Sequence, residues 1–137
     1  EAKKFLEKNK LKNQYDFLIV DFHGEITSEK MAIGHFFDGK ATLVVGTHTH
    51  IPTNDARVLL NGTAYQTDAG MCGDYNSIIG MNKENSLNKF LKKNSIKHFP
   101  ANGNSSLCGV IVDCNIETGL ATNIKSFIYG GELKNSL

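Results

Sequence analysis

Residues 16–50 read DFLIVDFHGEITSEKMAIGHFFDGKATLVVGTHTH, and the pattern of this segment determines the predicted class of fold. Its two apolar runs, residues 16–22 and 41–46, have the composition of β-strands that are covered on both faces. Between them, Thr27 or Ser28 can cap a helix of about three turns. The residues expected to share one face of this helix are Ala32, Ile33, Phe36 and Phe37. The strand–helix–strand order predicts a right-handed parallel crossover.

The rest of the chain predicts two further helices and two antiparallel strand pairs. Residues 1–12 are typical of the end of a surface helix, and a second helix is expected near residues 87–91. Asn61 and Gly62 separate two short apolar runs and predict a hairpin with a type I′ turn. The last antiparallel pair is expected in SLCGVIVDCN and ATNIKSFIYG. The predicted fold class is α/β of the α+β sandwich type, with mixed parallel and antiparallel strands over residues 1–137.

Composition limits the class of protein. The 15 Lys and Arg residues balance 14 Asp and Glu residues, so no strong field favours nucleic acid or an anionic membrane. Cys72, Cys108 and Cys114 show no CxxC spacing, which favours a reducing compartment. No apolar run approaches the ~20 residues that span a bilayer, and no charged-then-apolar leader opens the sequence. We therefore expect a soluble cytoplasmic protein that has no membrane partner.

Histidines gather where the two predicted strands end. In an extended chain His48 and His50 point to the same side, and a parallel neighbour would bring His23 to the same sheet edge, where open α/β folds bind ligands. Neutral imidazole is the commonest metal ligand in proteins, and His-rich sites suit zinc, iron and manganese. The pattern therefore predicts a metal site, with hydrogen-bonded or merely exposed histidines as the alternative. His35 and His98 have no neighbouring ligand, so we expect no metal there.

Three long motifs follow one another along nearly the whole chain. They are VDFHGEITSEK, DGKATLVVGTHTHIPTNDARVLLNGTAYQTDAGMCGDYNSIIGM and SLCGVIVDCNIETGLATNIKSF. These motifs resemble the C-terminal half of the YmdB-like metallophosphoesterases, a branch of the calcineurin-like superfamily. The resemblance implies half of a β-sandwich flanked by helices. It also implies a two-metal phosphodiesterase that acts on cyclic nucleotides, with 2′,3′-cyclic nucleotides favoured.

The resemblance assigns metal ligands within this chain. His23 and His48 match two ligands of one ion, and His50 matches a ligand of the other, so two divalent ions (Fe, Mn or Zn) are expected. Three further side chains are candidates to orient the ligating imidazoles through their free ring nitrogens: Asp21, Thr47 and Asp68. For the two aspartates, capping of strand ends is the alternative.

Part of the family's site has no match in this chain. Family members also supply an aspartate near the N-terminus, a bridging glutamate beside an asparagine, and an Asn-His pair whose histidine is thought to donate the leaving-group proton. We therefore predict that residues 1–137 are a single domain or the C-terminal portion of one metallophosphoesterase domain, and that they contain no catalytic proton donor. The N-terminal half would be absent, disordered or a separate segment that partners this chain.

Two functions remain open from the sequence. In the first, the complete protein hydrolyses a small-molecule phosphodiester by attack of a hydroxide shared between two cations, and this chain alone is inactive. In the second, the chain is a metal-binding or oligomerisation fragment without turnover. A homo-oligomer is compatible with both. The glycine-rich loop 70–77 is expected to border the substrate pocket, where Tyr75 either stacks on a base or is exposed without a role.

Overall fold

The computed structural model describes residues 1–92 and 97–136. The elements in these ranges are α1 (Ala2–Lys8), β1 (Ile19–His23), α2 (Thr27–Phe37), β2 (Leu43–Thr47), β3 (Arg57–Val58), β4 (Ala64–Gln66), β5 (Gly73–Asp74), α3 (Lys83–Phe90), β6 (Ser105–Cys114) and β7 (Ala121–Tyr129). The strands form one four-stranded and one three-stranded sheet. The predicted α/β class with mixed strand directions is therefore confirmed. None of the described helices is long and apolar enough to cross a membrane.

The four-stranded sheet contains the predicted crossover. Its strand order is β1-β2-β4-β3, and β1 and β2 are parallel, with Ile19 beside Leu43 and His23 beside Thr47. β2 and β4 are also parallel. Because β1 and β2 end at the same level, His23 and the residues that follow Thr47 lie at one edge of the sheet.

Strand β1 is an edge strand of this sheet. Only one of its faces is covered, whereas the sequence predicted that both would be. Its exposed and half-buried residues alternate, and Ile19 is 66% exposed. Val20, on the other face, packs against the core of Phe37, Val44 and Tyr65. A continuous apolar run therefore did not distinguish a central strand from an edge strand with one covered face.

Helix α2 packs on the sheet through a face that matches the predicted one only in part. Buried and half-buried residues recur at helical spacing and are Lys30, Ile33, Gly34 and Phe37. Ala32 and Phe36, which were predicted on this face, are exposed. The prediction was right for Ile33 and Phe37. It was wrong for the other two residues because it counted only apolar residues, whereas Lys30 turns inward to form an ion pair with Asp68.

The predicted cap of α2 is also wrong. The helix begins at Thr27, so Thr27 and Ser28 lie inside its first turn. The N-cap residue is Ile26, and no side chain caps the first turn. Glu29 lies in the first turn, where a negative charge interacts favourably with the helix dipole.

The predicted hairpin is present, but its turn is of another type. β3 and β4 are antiparallel, with Arg57 beside Tyr65. The Gly62 N–H donates to the Leu59 carbonyl at 3.0 Å, and Gly62 has φ +96° while Asn61 stays outside the left-handed region. A type I′ turn needs positive φ at both central residues, whereas a glycine after a type I turn needs it once. The loop of this hairpin is therefore longer than the two-residue loop of the predicted type I′ turn.

The three-stranded sheet has the order β5-β6-β7 and packs on the first sheet. β6 and β7 are the predicted antiparallel pair. The core between the sheets consists of Leu43, Ala64 and Ala121, with Val45, Val110, Val112 and Ile124 packed against it. Cys108 is buried and Cys114 is half-buried on the same strand. β5 lies within the glycine-rich segment that was predicted to be only a loop.

Candidate metal centre

His23 and His48 meet at the edge where β1 and β2 end. Nδ1 of His48 lies 3.2 Å from Nε2 of His23, and the rings meet nearly edge to face, with centroids 5.0 Å apart. Two nitrogens that bind the same tetrahedral ion, each at about 2.0–2.1 Å, are about 3.3 Å apart. A cation can take the place of the shared proton when His48 carries its ring proton on Nε2 instead of Nδ1, because a neutral imidazole binds metal through the nitrogen without a proton. The pair therefore fits one metal ion.

A hydrogen-bonded chain orients the ring of His23. Nδ1 of His23 lies 3.1 Å from the Thr47 hydroxyl, and that hydroxyl donates to Oδ1 of Asp21 at 3.1 Å. Since the hydroxyl proton points to Asp21, the hydroxyl accepts from His23, which assigns the ring proton to Nδ1. Nε2 then has a free lone pair for a cation, as is usual for metal-binding histidines. Asp21 and Thr47 thus lie where an orienting role requires them.

His50 makes no hydrogen bond or ring contact with His23 or His48 among the described residues. Its Nδ1 donates to the carbonyl of Ile79 at 2.9 Å, which leaves Nε2 free to bind a cation. Across residues 1–92 and 97–136, no group of three or more His, Cys, Asp or Glu side chains is placed to hold one ion. The described part of the chain therefore brings two histidines together and presents the third separately.

The backbone from His48 to His50 is not extended, contrary to the prediction from the sequence. β2 ends at Thr47, and the next residues take left-handed conformations, with φ +131° at His48 and φ +67° at His50. Each such residue other than glycine costs on the order of 1–3 kcal/mol and persists only where the surroundings enforce it. Strain of this kind is concentrated at functional sites. The alternation rule that placed His48 and His50 on one side does not apply beyond Thr47.

Asp68 reaches this loop through the main chain. Its carboxylate accepts the Thr49 N–H on Oδ2 and the Gly70 N–H on Oδ1, both at 2.9 Å, and it forms an ion pair with Lys30. No hydrogen bond joins it to an imidazole among the described residues. Burial raises the pKa of Asp68, but the hydrogen bonds from Lys30 and the two amides outweigh burial and lower it.

The hydroxyl of Tyr75 also supports the loop that follows β2. It donates to the His50 carbonyl at 3.0 Å and accepts the Met71 N–H at 3.1 Å. Burial and a contact with Cys108 raise the pKa of Tyr75, so its hydroxyl stays protonated at neutral pH. The half-buried ring is thus part of the loop's support, which neither of the two sequence-based alternatives for Tyr75 included.

Acid is expected to weaken this supporting structure. Burial raises the pKa of Asp55, but hydrogen bonds from Thr53, Thr67 and Arg57 lower it below its usual value, and the pKa of Asp68 is lowered too. A carboxyl group of this kind stabilises the fold above its unfolded pKa of about 3.9. That contribution is lost as the pH falls through the lower, folded pKa.

We therefore expect the free energy of unfolding to decline below about pH 4. Urea unfolding at a series of pH values measures the decline. Asp55→Asn removes one of the two contributions, so the variant should show a smaller decline than the parent protein. Equal stability of the parent protein on both sides of this pH range would contradict the expectation.

Relatives of known sequence and structure share this fold. A family model described as "YmdB-like protein" matches residues 1–127. The chain is 43% identical over 112 residues to the 2′,3′-cyclic-nucleotide 2′-phosphodiesterase of Bacillus subtilis, a match that covers 82% of this chain and 42% of the relative. The chain therefore spans less than half the length of that relative.

Two solved structures superimpose closely. One is a hypothetical protein from Thermus thermophilus, with a TM-score of 0.84, 39% identity, and coverage of 96% of this chain and 50% of that one. The other is a novel phosphatase of Mycoplasma pneumoniae, with a TM-score of 0.83, 35% identity, and coverage of 94% and 45%. The match of the family model over nearly the whole sequence, together with these relatives, shows that the chain belongs to the YmdB-like protein family.

Proposed function

We propose that the protein containing this chain is a metal-dependent phosphodiesterase that hydrolyses cyclic nucleotides, with 2′,3′-cyclic nucleotides preferred. The observation that carries the proposal is the pair of ring nitrogens of His23 and His48, 3.2 Å apart, at the open end of a parallel strand pair. Identity of 43% to a 2′,3′-cyclic-nucleotide 2′-phosphodiesterase supports the choice of substrate class.

In this proposal the chain contributes ligands to two divalent ions. His23 and His48 hold one ion, and His50 contributes to the other. Bound ions of this kind polarise phosphoryl oxygens, activate a water molecule and stabilise charge on the leaving oxygen. Iron, manganese and zinc all suit a site rich in imidazole.

The chain's own residues would act mainly by positioning. Asp21 and Thr47 fix the ring of His23 with Nε2 free, and the Ile79 carbonyl does the same for His50. Such preorganisation matters here because phosphoryl transfer is catalysed largely by positioning and electrostatic stabilisation.

The remaining parts of the site lie outside the described residues in this proposal. We propose that residues 1–137 are the C-terminal portion of one domain, and that the further ligands and the proton donor belong to its N-terminal portion. The substrate is a small phosphodiester.

The test is hydrolysis of 2′,3′-cyclic AMP by the full-length protein, loaded with manganese or iron. We expect turnover that a chelator abolishes and that added metal restores, because the attacking hydroxide comes from water that the bound ions activate. Hydrolysis of 3′,5′-cyclic AMP serves as the specificity control and should be slower. Chromatography of the nucleotide products shows which phosphoester bond breaks.

The second candidate is a metal-binding fragment without turnover. It is favoured by the absence of a three-ligand cluster within residues 1–92 and 97–136. A folded, metal-loaded full-length protein that hydrolyses neither cyclic nucleotide would support this candidate and contradict the phosphodiesterase proposal.

A further inference from the structure

Lys30 is a buried cation that lies outside the histidine site. Its side chain is 1% exposed and its Nζ lies 2.8 Å from Oδ2 of Asp68, whose side chain is also 1% exposed. Lysine is almost never fully buried unless it is paired. It occupies a position on the covered face of α2 where an apolar residue would otherwise pack, so its presence needs a reason besides packing.

The Lys30–Asp68 pair connects α2 to the segment that carries two of the histidines. The Asp68 oxygen that accepts the proton of Lys30 also accepts the backbone N–H of Thr49. Thr49 is the residue between His48 and His50. The second carboxylate oxygen holds the N–H of Gly70. One ionised carboxylate therefore connects residues 48–50, the histidine segment, both to α2 and to the loop that follows β4.

The arrangement of Thr49 explains why such an anchor is needed. Its neighbours on both sides, His48 and His50, have left-handed backbones, and such conformations persist only where surrounding contacts enforce them. A hydrogen bond to an ionised acceptor is about twice as strong as a neutral one. Lys30 keeps the acceptor ionised and aimed at Thr49, although its own Nζ makes no contact with an imidazole among the described hydrogen bonds.

We propose that Lys30 is a positioning residue of the metal centre, which holds His48 and His50 in their relative placement through Asp68 and the Thr49 amide. The proposal rests on the proposed function only in taking these histidines as ligands. A role in stability alone does not explain the pair, because replacement of a buried ion pair by apolar residues is often neutral or stabilising. An ion pair with one defined geometry does, however, specify one arrangement of the loop.

The test compares Lys30→Met with Leu59→Ala in the full-length protein. Leu59 is buried in the core beneath α2, in the β3–β4 hairpin and away from the histidine segment, so its truncation lowers global stability without touching the anchor. Two readouts are used: manganese affinity by titration calorimetry, and hydrogen exchange of the metal-free protein in the peptide that covers residues 46–52.

We expect Lys30→Met to lower manganese affinity by about 10- to 100-fold, the usual effect of losing a residue that orients metal ligands. Exchange in residues 46–52 should accelerate more than exchange in β6 and β7. Leu59→Ala should leave manganese affinity unchanged. Parent-like affinity and exchange in a folded Lys30→Met protein would overturn the proposal, as would an equal loss of affinity in Leu59→Ala.

Lys30→Met leaves the Asp68 charge unpaired, which can prevent folding. The double variant Lys30→Met with Asp68→Asn removes both charges, and its side-chain amide offers one oxygen to the two backbone N–H groups that the carboxylate serves with two. We expect it to fold, with faster exchange in residues 46–52 and lowered manganese affinity. A folded double variant with parent-like values of both would overturn the proposal. If the parent protein binds none of manganese, iron and zinc, the proposed function fails, while the exchange measurement still decides whether Lys30 anchors residues 46–52.

Discussion

Replacing His48 with alanine is expected to lower the hydrolysis of 2′,3′-cyclic AMP by the full-length protein about 100-fold or more. Loss of a group that merely orients a metal ligand typically costs about 10- to 100-fold in metal affinity or activity, and loss of the ligand itself should cost at least as much. The effect should appear in kcat and in the metal concentration needed for half activity. Because His48 is exposed, its truncation removes little packing, so the variant should remain folded.

The matched control for this prediction is His35→Ala. His35 is an exposed histidine on α2, where no other ligand was expected, so the variant removes the same side chain without affecting the site. We expect parent-like activity and metal dependence. Equal activity of the His48→Ala and His35→Ala proteins at limiting metal would refute the assignment of His48 as a ligand.

Gly46→Ala is expected to lower the free energy of unfolding by about 3 kcal/mol or more, near the upper end of overpacking effects. A β-carbon at this position would stand 1.8 Å from the Thr67 carbonyl oxygen and 3.0 Å from Cδ of Lys30. The carbonyl belongs to the backbone just beyond β4, which is paired in parallel with β2. The clash therefore cannot be relieved by a side-chain rotation, and the strands must move apart.

Gly73→Ala provides the control for Gly46→Ala. Gly73 lies in β5, and the nearest atom to an added β-carbon is Sδ of Met71 at 3.8 Å, an ordinary contact with a flexible side chain. We expect a change within about 0.5 kcal/mol, as for most substitutions that create no clash. Chemical denaturation of both variants measures the difference. A Gly46→Ala protein as stable as Gly73→Ala would contradict the packing described between β2, β4 and α2.

The placement of His23 near His48 could be predicted from the sequence, because it depends on local patterns. Two apolar runs separated by a helix-length segment specify parallel strands, and a histidine follows each run within two residues. Parallel pairing then sets His23 beside Thr47. The physical content of this prediction is the register of two strands, which depends on their hydrophobic patterns.

The anchoring contacts could not be predicted in the same way. The Lys30–Asp68 pair joins residues 38 positions apart, and no local rule chooses a partner at that distance. One signal was available: Lys30 shares the helical spacing of Ile33 and Phe37, and a lysine in an otherwise apolar stripe calls for a buried counter-charge. The support of His50 by Ile79 uses a backbone carbonyl, which every residue has, so the side-chain pattern held no signal for it.

The left-handed backbones at His48 and His50 have a practical consequence for engineering. Glycine adopts such angles without steric penalty, so a library selected only for a higher melting temperature would enrich glycine at both positions. The selected variants would lack the imidazoles that we expect to hold the cations. Heat resistance and turnover should therefore be scored together whenever this protein is evolved in the laboratory.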